Sequence, residues 1–282
     1  MAGVEAQTLT VWRQADRYGV PRIIFLNKMD KTGADFYGSL DSVRDKLATN
    51  PLPLQIPIGK EKQYFGVVDL LDMTEVTWDL DDVDGAAFDA RPLDKTRSPR
   101  LYEEAMNSRA VLLESLANLD DFIGEKYLED VDCKQLPRND LIAAVRRLTL
   151  SRKVVPVLCG SALRNRGIQP LLDAVVSFLP SPTEREHHFV DYYSGELSAL
   201  AFKIVHDKQK GPMTFLRLYS GSLESGGSLY NVNRGCAEKF GKLFQVNADE
   251  HREVQKVTSG NIVAVTGLKQ VDAFCVKYKL GY

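Results

Sequence analysis

The sequence predicts an α/β domain interrupted by an α+β insertion and followed by an antiparallel β-barrel. Three observations predict it. Two strand–loop–helix units of one kind occur at 22–47 and 154–179. The segment between them differs in composition. Beyond Pro180-Ser181-Pro182 come several short apolar strands separated by Gly and Ser turns. Strand–helix units stack into parallel sheets, whereas successive short strands with regular turns close into barrels.

The first helix is expected over Glu5–Arg17, with Leu9, Trp12 and Ala15 on one side and Val11 a turn from Ala15. Gly19 and Pro21 end it, one as a cap and the other as a block to continuation. Arg22–Leu26 is a short apolar run ending in Asn27-Lys28-Met29-Asp30, the pattern of a buried parallel strand. A second helix is expected over Ala34–Leu47. The later unit repeats the plan. Val154–Cys159 is an apolar run rich in valine, Gly160-Ser161-Ala162-Leu163 follows, and then a helix. Ile168, Leu171, Leu172, Val175, Val176 and Leu179 recur at helical spacing and are expected to form its buried face.

The insertion, 57–152, is expected to pair strands Phe65–Asp69 and Glu75–Trp78. Its helices are expected over Arg100–Leu119 and Asn139–Leu150, with Leu101, Ala105, Leu112, Leu116 and Leu119 on one stripe. The α/β domain therefore comprises 1–56 and 153–182. A linker follows over 183–196, the barrel over 197–270, and a tail over 271–282 departs from the barrel pattern. Barrel strands are read at Leu200–Val205, Thr214–Tyr219, Ser228–Val232 and Asn261–Val265.

Lys and Arg total 36 against 38 Asp and Glu, so global charge leaves no nucleic-acid footprint, though a local basic face stays open. Lys203, Lys208, Lys210 and Arg217 are candidates for one, set against scattered solubilising charge. Cys133, Cys159, Cys236 and Cys275 make no CxxC pair and no zinc spacing; four reduced thiols are expected. No apolar run approaches the ~20 residues that span a bilayer. No signal or transit pattern opens the chain, so it is expected to be cytosolic or to lack its true amino terminus.

Asn27-Lys28-Met29-Asp30 matches the guanine-reading NKxD pattern. An Asp carboxylate accepts from both N1–H and the N2 amine of guanine, a donor pair adenine does not present. Asn27 would brace the neighbouring loops and the N7 edge, and the stem of Lys28 would cover one base face. Gly160-Ser161-Ala162-Leu163 supplies the second loop. Its small residues let the backbone approach a base, with the Ala162 N–H donating to O6. Either motif alone is an ordinary loop; after two strands of one sheet they point together to a guanine pocket.

Other patterns fail. Asp79–Gly85 lacks the Gly and Glu positions of a calcium loop and reads as a solvated acidic run. His187-His188 has no further ligands at metal spacing, and His206-Asp207 has no nucleophile to serve; 206–212 reads as a turn. No Gly-x-x-x-x-Gly-Lys-Ser/Thr phosphate loop occurs in these 282 residues.

Gly3–Thr8, Asn27–Lys31, Val157–Leu163, Gly167–Val175 and Ala199–Ile204 together resemble the elongation factor G family of translational GTPases. The resemblance covers roughly 2–270, and 206–212 is most similar to the family's mitochondrial type 2, ribosome-recycling branch. It implies a truncated P-loop GTPase G domain with an inserted subdomain, then the family's β-barrel second domain. It implies a base pocket of Asn27, Lys28, Asp30, Ser161, Ala162 and Leu163, and GTP or GDP as ligand. Partners implied are the ribosome and ribosome recycling factor, with mitochondrial ribosomes taken apart after termination, and otherwise a cytoplasmic setting.

The family's phosphate loop, switches and catalytic His precede the segment matching Gly3–Thr8, so no catalytic residue is assigned here, and Mg²⁺ ligands belong to the parent alone. The chain is therefore expected to be a fragment of the parent GTPase. A non-hydrolysing ribosome-binding module or a non-functional truncated form are the alternatives. The purified 282-residue chain is expected to release no phosphate from GTP above background, with or without ribosomes, because the groups that stabilise transition-state charge are not in its sequence. Ribosome-stimulated release that survives repurification contradicts this.

Overall fold

The structure, a computed structural model, describes residues 3–82, 84–129, 136–184, 196–248 and 250–269, and the backbone of 276–280. It divides into two compact units, Met1–Leu179 and Pro180–Tyr282. Most of the expected linker, with His187-His188, lies outside the described residues, as do Cys133 and Cys275. Among the described residues no helix is long and apolar enough to cross a membrane.

The first unit opens with α1 (Ala6–Arg17), β1 (Ile24–Leu26), α2 (Phe36–Leu47) and β2 (Pro51–Pro53). An antiparallel meander follows: β3 (Gln55–Ile58), β4 (Gly66–Asp69), β5 (Thr74–Thr77) and β6 (Asp89–Pro92). Helices α3 (Pro99–Ala117), α4 (Asp121–Glu129) and α5 (Arg138–Leu150) lead to β7 (Val155–Cys159) and α6 (Ile168–Phe178). β7 is the centre of a parallel three-stranded sheet ordered β1-β7-β2. Every residue of β7 is buried, as its unbroken apolar sequence requires. Pro156 is tolerated there. Val155 donates to Asn50 on the β2 side, so the position of its neighbour's missing N–H faces β1, ahead of the first paired residue, Ile24.

Local signals account for the helix ends. Asp35 caps α2 by accepting from the Gly38 N–H at 3.0 Å, and Ala48 closes it in a left-handed conformation. Leu9 and Trp12 of α1 pack on Val4, Val43, Leu47 and Ile24, while Val11 is exposed. The α3 stripe packs as its spacing predicts: Ala105, Leu112 and Leu116 are buried, with Leu101 and Leu119 packed against that core.

The α6 expectation is overturned in part. Leu172 is 60%, Val175 42% and Val176 80% exposed, and the helix buries Ala174 and Phe178 instead. So many apolar residues in eleven positions allow more than one stripe. Tertiary contact chooses between them: α6 packs on α5, and Arg146 of α5 donates to the Ser177 and Leu179 carbonyls at its carboxyl end. The meander starts at Gln55, and one apolar core runs from Met29 through the inserted residues to Phe178.

The second unit holds strands β8 (Ser198–Asp207), β9 (Gly211–Ser220), β10 (Ser222–Glu224), β11 (Ser228–Asn231) and β12 (Cys236–Lys239). It continues with β13 (Leu243–Asn247), β14 (Glu250–Val254), β15 (Lys256–Thr258), β16 (Ile262–Thr266) and β17 (Val276–Leu280). Eight of them form one antiparallel sheet ordered β12-β11-β17-β8-β9-β16-β13-β14. Leu229 of β11 and Leu243 of β13 share a core with Leu216 and Val263, so the sheet must curl around its inner face. Alternation along β9 buries Thr214, Leu216, Leu218 and Ser220 on that face. Val276–Leu280, assigned from sequence to a tail outside the barrel, pairs between β8 and β11. Its alternation of Val, Tyr and Leu with two lysines is the period-two signal of a strand.

Asp120 ties the inserted helices together. It accepts from Arg147 Nε and Nη2 at 2.9 and 2.8 Å, and from the Ile123 N–H at the start of α4. The arginine bonds hold its carboxyl below the ordinary carboxylate range. Asp120→Ala should cost about 2 kcal/mol at pH 7, the sum of a lost cap and a charged pair whose arginine is half exposed. Because the folded-state pKa is depressed, that stability is present above the unfolded value of about 4 and lost as pH falls through the folded one. The gap between wild type and variant in urea denaturation should therefore narrow below pH ~4.

Candidate functional site

β1 and β7 run parallel with Leu26 opposite Cys159, so the loops that follow them leave from the same edge of the sheet. Two main-chain bonds lace them together. The Gly160 N–H donates to the Leu26 carbonyl, and the Met29 N–H donates to the Gly160 carbonyl, both at 3.0 Å. Met29 is 3% exposed and roots the first loop in the core beside Phe36 and Leu40.

Side chains complete the join. Asn27 Oδ1 accepts from its neighbour Lys28 N–H at 2.7 Å and from Ala162 N–H at 2.9 Å. Lys28 sits at φ 64°, a conformation costing roughly 1 kcal/mol for a residue with a Cβ, and the Asn27 bond fixes it. Ser161, 1% exposed, donates its hydroxyl to Asp30 Oδ1 at 2.6 Å. Asp30 Oδ2 lies 3.9 Å from Lys31 Nζ, a long pair whose lysine is exposed and which carries little energetic weight. A carboxylate offers about four acceptor positions, so Asp30 retains capacity for further donors.

Asn27, Lys28, Asp30, Ser161 and Ala162 thus meet in one network across 135 residues of sequence. Leu163 does not join it; its side chain is 79% exposed. The Ala162 N–H, read from sequence as a donor to guanine O6, is engaged by Asn27 Oδ1.

Sequence reasoning missed the layer beneath. Arg166, 5% exposed, donates to the carbonyls of Tyr64, Asp79 and Leu80 at 2.9, 2.9 and 3.0 Å. Tyr64 is fully buried, and its hydroxyl lies 3.5 Å from the Cys159 carbonyl. Burial raises both the Tyr64 hydroxyl and the Cys159 thiol well above their ordinary values, so neither ionises and the thiol is inert. An arginine four residues after a small-residue loop carries no signal of burial; charge patterning assigns it to solvent.

The remaining candidates resolve into structural roles. Asp79 and Asp82 accept from the N–H groups of Asp81 and Asp84, forming tight Asx turns. Among the described residues no group of three or more His, Cys, Asp or Glu could hold a metal ion. Asp207 Oδ1 accepts from Gln209 and Lys210 N–H at 2.9 Å, which makes the β8–β9 turn. In the second unit Lys203, Lys210 and Arg217 lie over Phe215, Phe244 and Tyr219 at 5.9, 5.3 and 4.9 Å.

With this geometry in place, comparison with known proteins is decisive. The elongation factor Tu GTP binding domain family matches residues 1–181. The chain belongs to that family. Elongation factor G domain 2 matches residues 196–275. Mitochondrial ribosome-releasing factor 2 of Rattus norvegicus is 50% identical over 273 residues, 95% of this chain and 35% of the relative. Its Danio rerio counterpart is 47% identical over 275 residues, 95% and 36% of the two chains. Elongation factor G 2 of Syntrophus aciditrophicus (strain SB) is 42% identical over 290 residues, 98% and 42%. A crystal structure from Thermus thermophilus superposes with a TM-score of 0.77 at 24% identity, covering 98% of this chain and 39% of that one. That likeness shows the fold. This member of the GTP-binding family spans about a third of the length of the ribosome-releasing factors it matches.

Gly160 is the tightest point of the site. A Cβ there would lie 2.3 Å from the Arg166 carbonyl oxygen and 2.6 Å from Phe25 Cζ. Gly160→Ala should destabilise the first unit by about 2 kcal/mol through overpacking. Urea denaturation read by a probe in that unit checks it, and an unchanged midpoint contradicts it.

Proposed function

We propose that residues 27–30 and 160–163 read the guanine base of GTP or GDP, and that the whole protein is a translational GTPase that separates mitochondrial ribosomes after termination with ribosome recycling factor. The observation that carries the base-reading assignment is the Ser161 Oγ–Asp30 Oδ1 bond. It fixes a nearly buried carboxylate at the mouth of two adjacent loops and leaves acceptor capacity for N1–H and the N2 amine. Guanine O6 and Asn27 Oδ1 are then alternative acceptors for the Ala162 N–H, and base binding exchanges one for the other. The aliphatic stem of Lys28 covers the base face.

The family's names support the rest. Relatives 47–50% identical to the chain are called mitochondrial ribosome-releasing factor 2, and an elongation factor G 2 is 42% identical over 98% of it. Mg²⁺ in this reading enters with the phosphates, held by a phosphate loop and switches upstream of the aligned segment. A second reading, a ribosome-binding module without hydrolysis, is favoured by the basic side chains laid over aromatic rings on the second unit, an arrangement suited to RNA.

Joined to the upstream segment of a ribosome-releasing factor, the chain should bind guanine nucleotides, and Asp30→Asn should move its preference from GTP to XTP. Xanthine carries a carbonyl where guanine carries the N2 amine. A carboxamide donates to that carbonyl, whereas a carboxylate meets it with like partial charge. Mispaired buried groups discriminate by as much as ~10⁴-fold. Competition between GTP and XTP is the measurement. A folded variant that keeps the original preference removes Asp30 from the site.

A further inference from the structure

We propose that Arg166 is the positioning residue of the base-reading loop, holding Ser161, and through it Asp30, in place by anchoring the loop to main-chain carbonyls of the inserted segment. The proposal rests on the reading of 27–30 and 160–163 as a guanine site.

The connection runs in both directions from one residue. Arg166 and Ser161 exchange main-chain bonds, Ser161 N–H to the Arg166 carbonyl at 2.9 Å and Arg166 N–H to the Ser161 carbonyl at 3.1 Å. This bridge closes loop 161–166 on itself, so any displacement of Arg166 is passed to Ser161. Ser161 in turn holds Asp30 Oδ1 at 2.6 Å. On the other side the Arg166 guanidinium reaches the Tyr64 carbonyl with Nη1 and the Asp79 and Leu80 carbonyls with Nη2. These acceptors lie on two separate stretches of the insertion.

Chemistry favours arginine for this task. The planar guanidinium presents donors in a fixed fork and can meet carbonyls on two stretches at once, whereas an ammonium is a single point on a flexible stem. Its burial is not explained by charge pairing. Among the described residues Arg166 makes no ion pair, and its Nε has no partner. A buried cation given only neutral acceptors, one donor unmet, is costly and calls for a reason. Fixing the geometry of a recognition loop is such a reason.

A second strut joins the same two pieces. Gln169 Nε2 donates to the Gly85 carbonyl at 2.9 Å, and a Cβ on Gly85 would lie 2.2 Å from the Arg164 carbonyl oxygen. Asp79, Leu80 and Gly85 therefore lie directly against the loop that carries Ser161 and the start of α6. Recognition of two donors by one carboxylate needs placement to within about 0.5 Å, which a loop achieves only when a supporting layer locks it.

The test compares Arg166→Met, which keeps the stem and removes every donor, with Arg166→Lys, which keeps the charge. GDP and IDP are titrated onto the chain joined to the upstream segment of a ribosome-releasing factor, the form expected to bind guanine nucleotides, followed by resolved amide resonances of the loop. IDP lacks the N2 amine, so the GDP-to-IDP affinity ratio reports the Asp30 contact alone. Wild type should prefer GDP about tenfold, the worth of one hydrogen bond to a charged group. Arg166→Met should bring the ratio close to one, and Arg166→Lys should recover part of it. A role confined to stability would lower the melting temperature and leave the ratio of the folded protein unchanged, which overturns the proposal.

Hydrogen exchange gives a second measure without nucleotide. Exchange at Ser161 and Arg166 should quicken at least ~10-fold in Arg166→Met and less in Arg166→Lys, with α3 and α5 unaffected. Unchanged exchange in either folded variant overturns the anchoring. Wild type indifferent to GDP against IDP removes the base-site reading, and the exchange comparison then still decides whether Arg166 holds the loop. If Arg166→Met does not fold, Arg166→Lys carries both measurements.

Discussion

The parallel pairing of β1 with β7 is the constraint on which the site depends. It sets Leu26 opposite Cys159, and from that register the bonds Gly160 N–H to Leu26 and Met29 N–H to Gly160 follow. A slip of one residue would move every side chain of β7 to the opposite face of the sheet and carry Ser161 away from Asp30. Both faces of β7 are buried, so its register rests on close packing on each side and on the main-chain bonds between the two loops. Parallel strands need a crossover, and here the connection from β1 to β7 contains α2, β2, the whole meander and helices α3 to α5.

That long crossover is part of the site's structure rather than an appendage. Its apolar core is continuous with that of the parallel sheet, from Met29 through Tyr64 and Leu112 to Phe178. Burial of each large core side chain contributes roughly 1.5–3 kcal/mol, so the two sheets cannot easily move apart at a shared core of this extent. Tyr64 stands at the meeting point. Its side chain is sealed beneath β7, and its carbonyl accepts from Arg166. Glycine is required where the insertion meets the loop after β7: a Cβ on Gly85 would collide with the Arg164 carbonyl, and within that loop a side chain at Gly160 would collide with the Arg166 backbone.

The second unit solves a different problem. Its sheet curls so that alternate residues of β9 face the enclosed core, while on the other side Phe215 packs against a smaller cluster of Met213, Phe244 and Ala264, beside Arg217 and Tyr219. Cation–aromatic pairs occupy that outer side. The turn at Asp207 takes its shape from two backbone bonds to one carboxylate oxygen, which accounts for an acidic residue beside His206 without any catalytic role.

Strand, turn and helix signals in the sequence were enough for the α/β–insertion–β order, because burial periodicity and Gly or Pro punctuation are local properties. They placed Asn27, Lys28, Asp30, Ser161 and Ala162 at strand ends, where an open sheet exposes its loops. Other features needed tertiary contact. α6 offers competing apolar stripes, and only packing against α5 selects Ala174 and Phe178. The partner of the Ala162 N–H depends on where Asn27 lies across the sheet, and the exposure of Leu163 depends on the turn that follows. β17 alternates as a strand should, yet its place between β8 and β11 is fixed by pairing with residues some fifty to eighty positions earlier. Arg166 is the clearest case. A charged side chain is assigned to solvent by every local rule, and it is buried here because three carbonyls from distant turns converge to receive it.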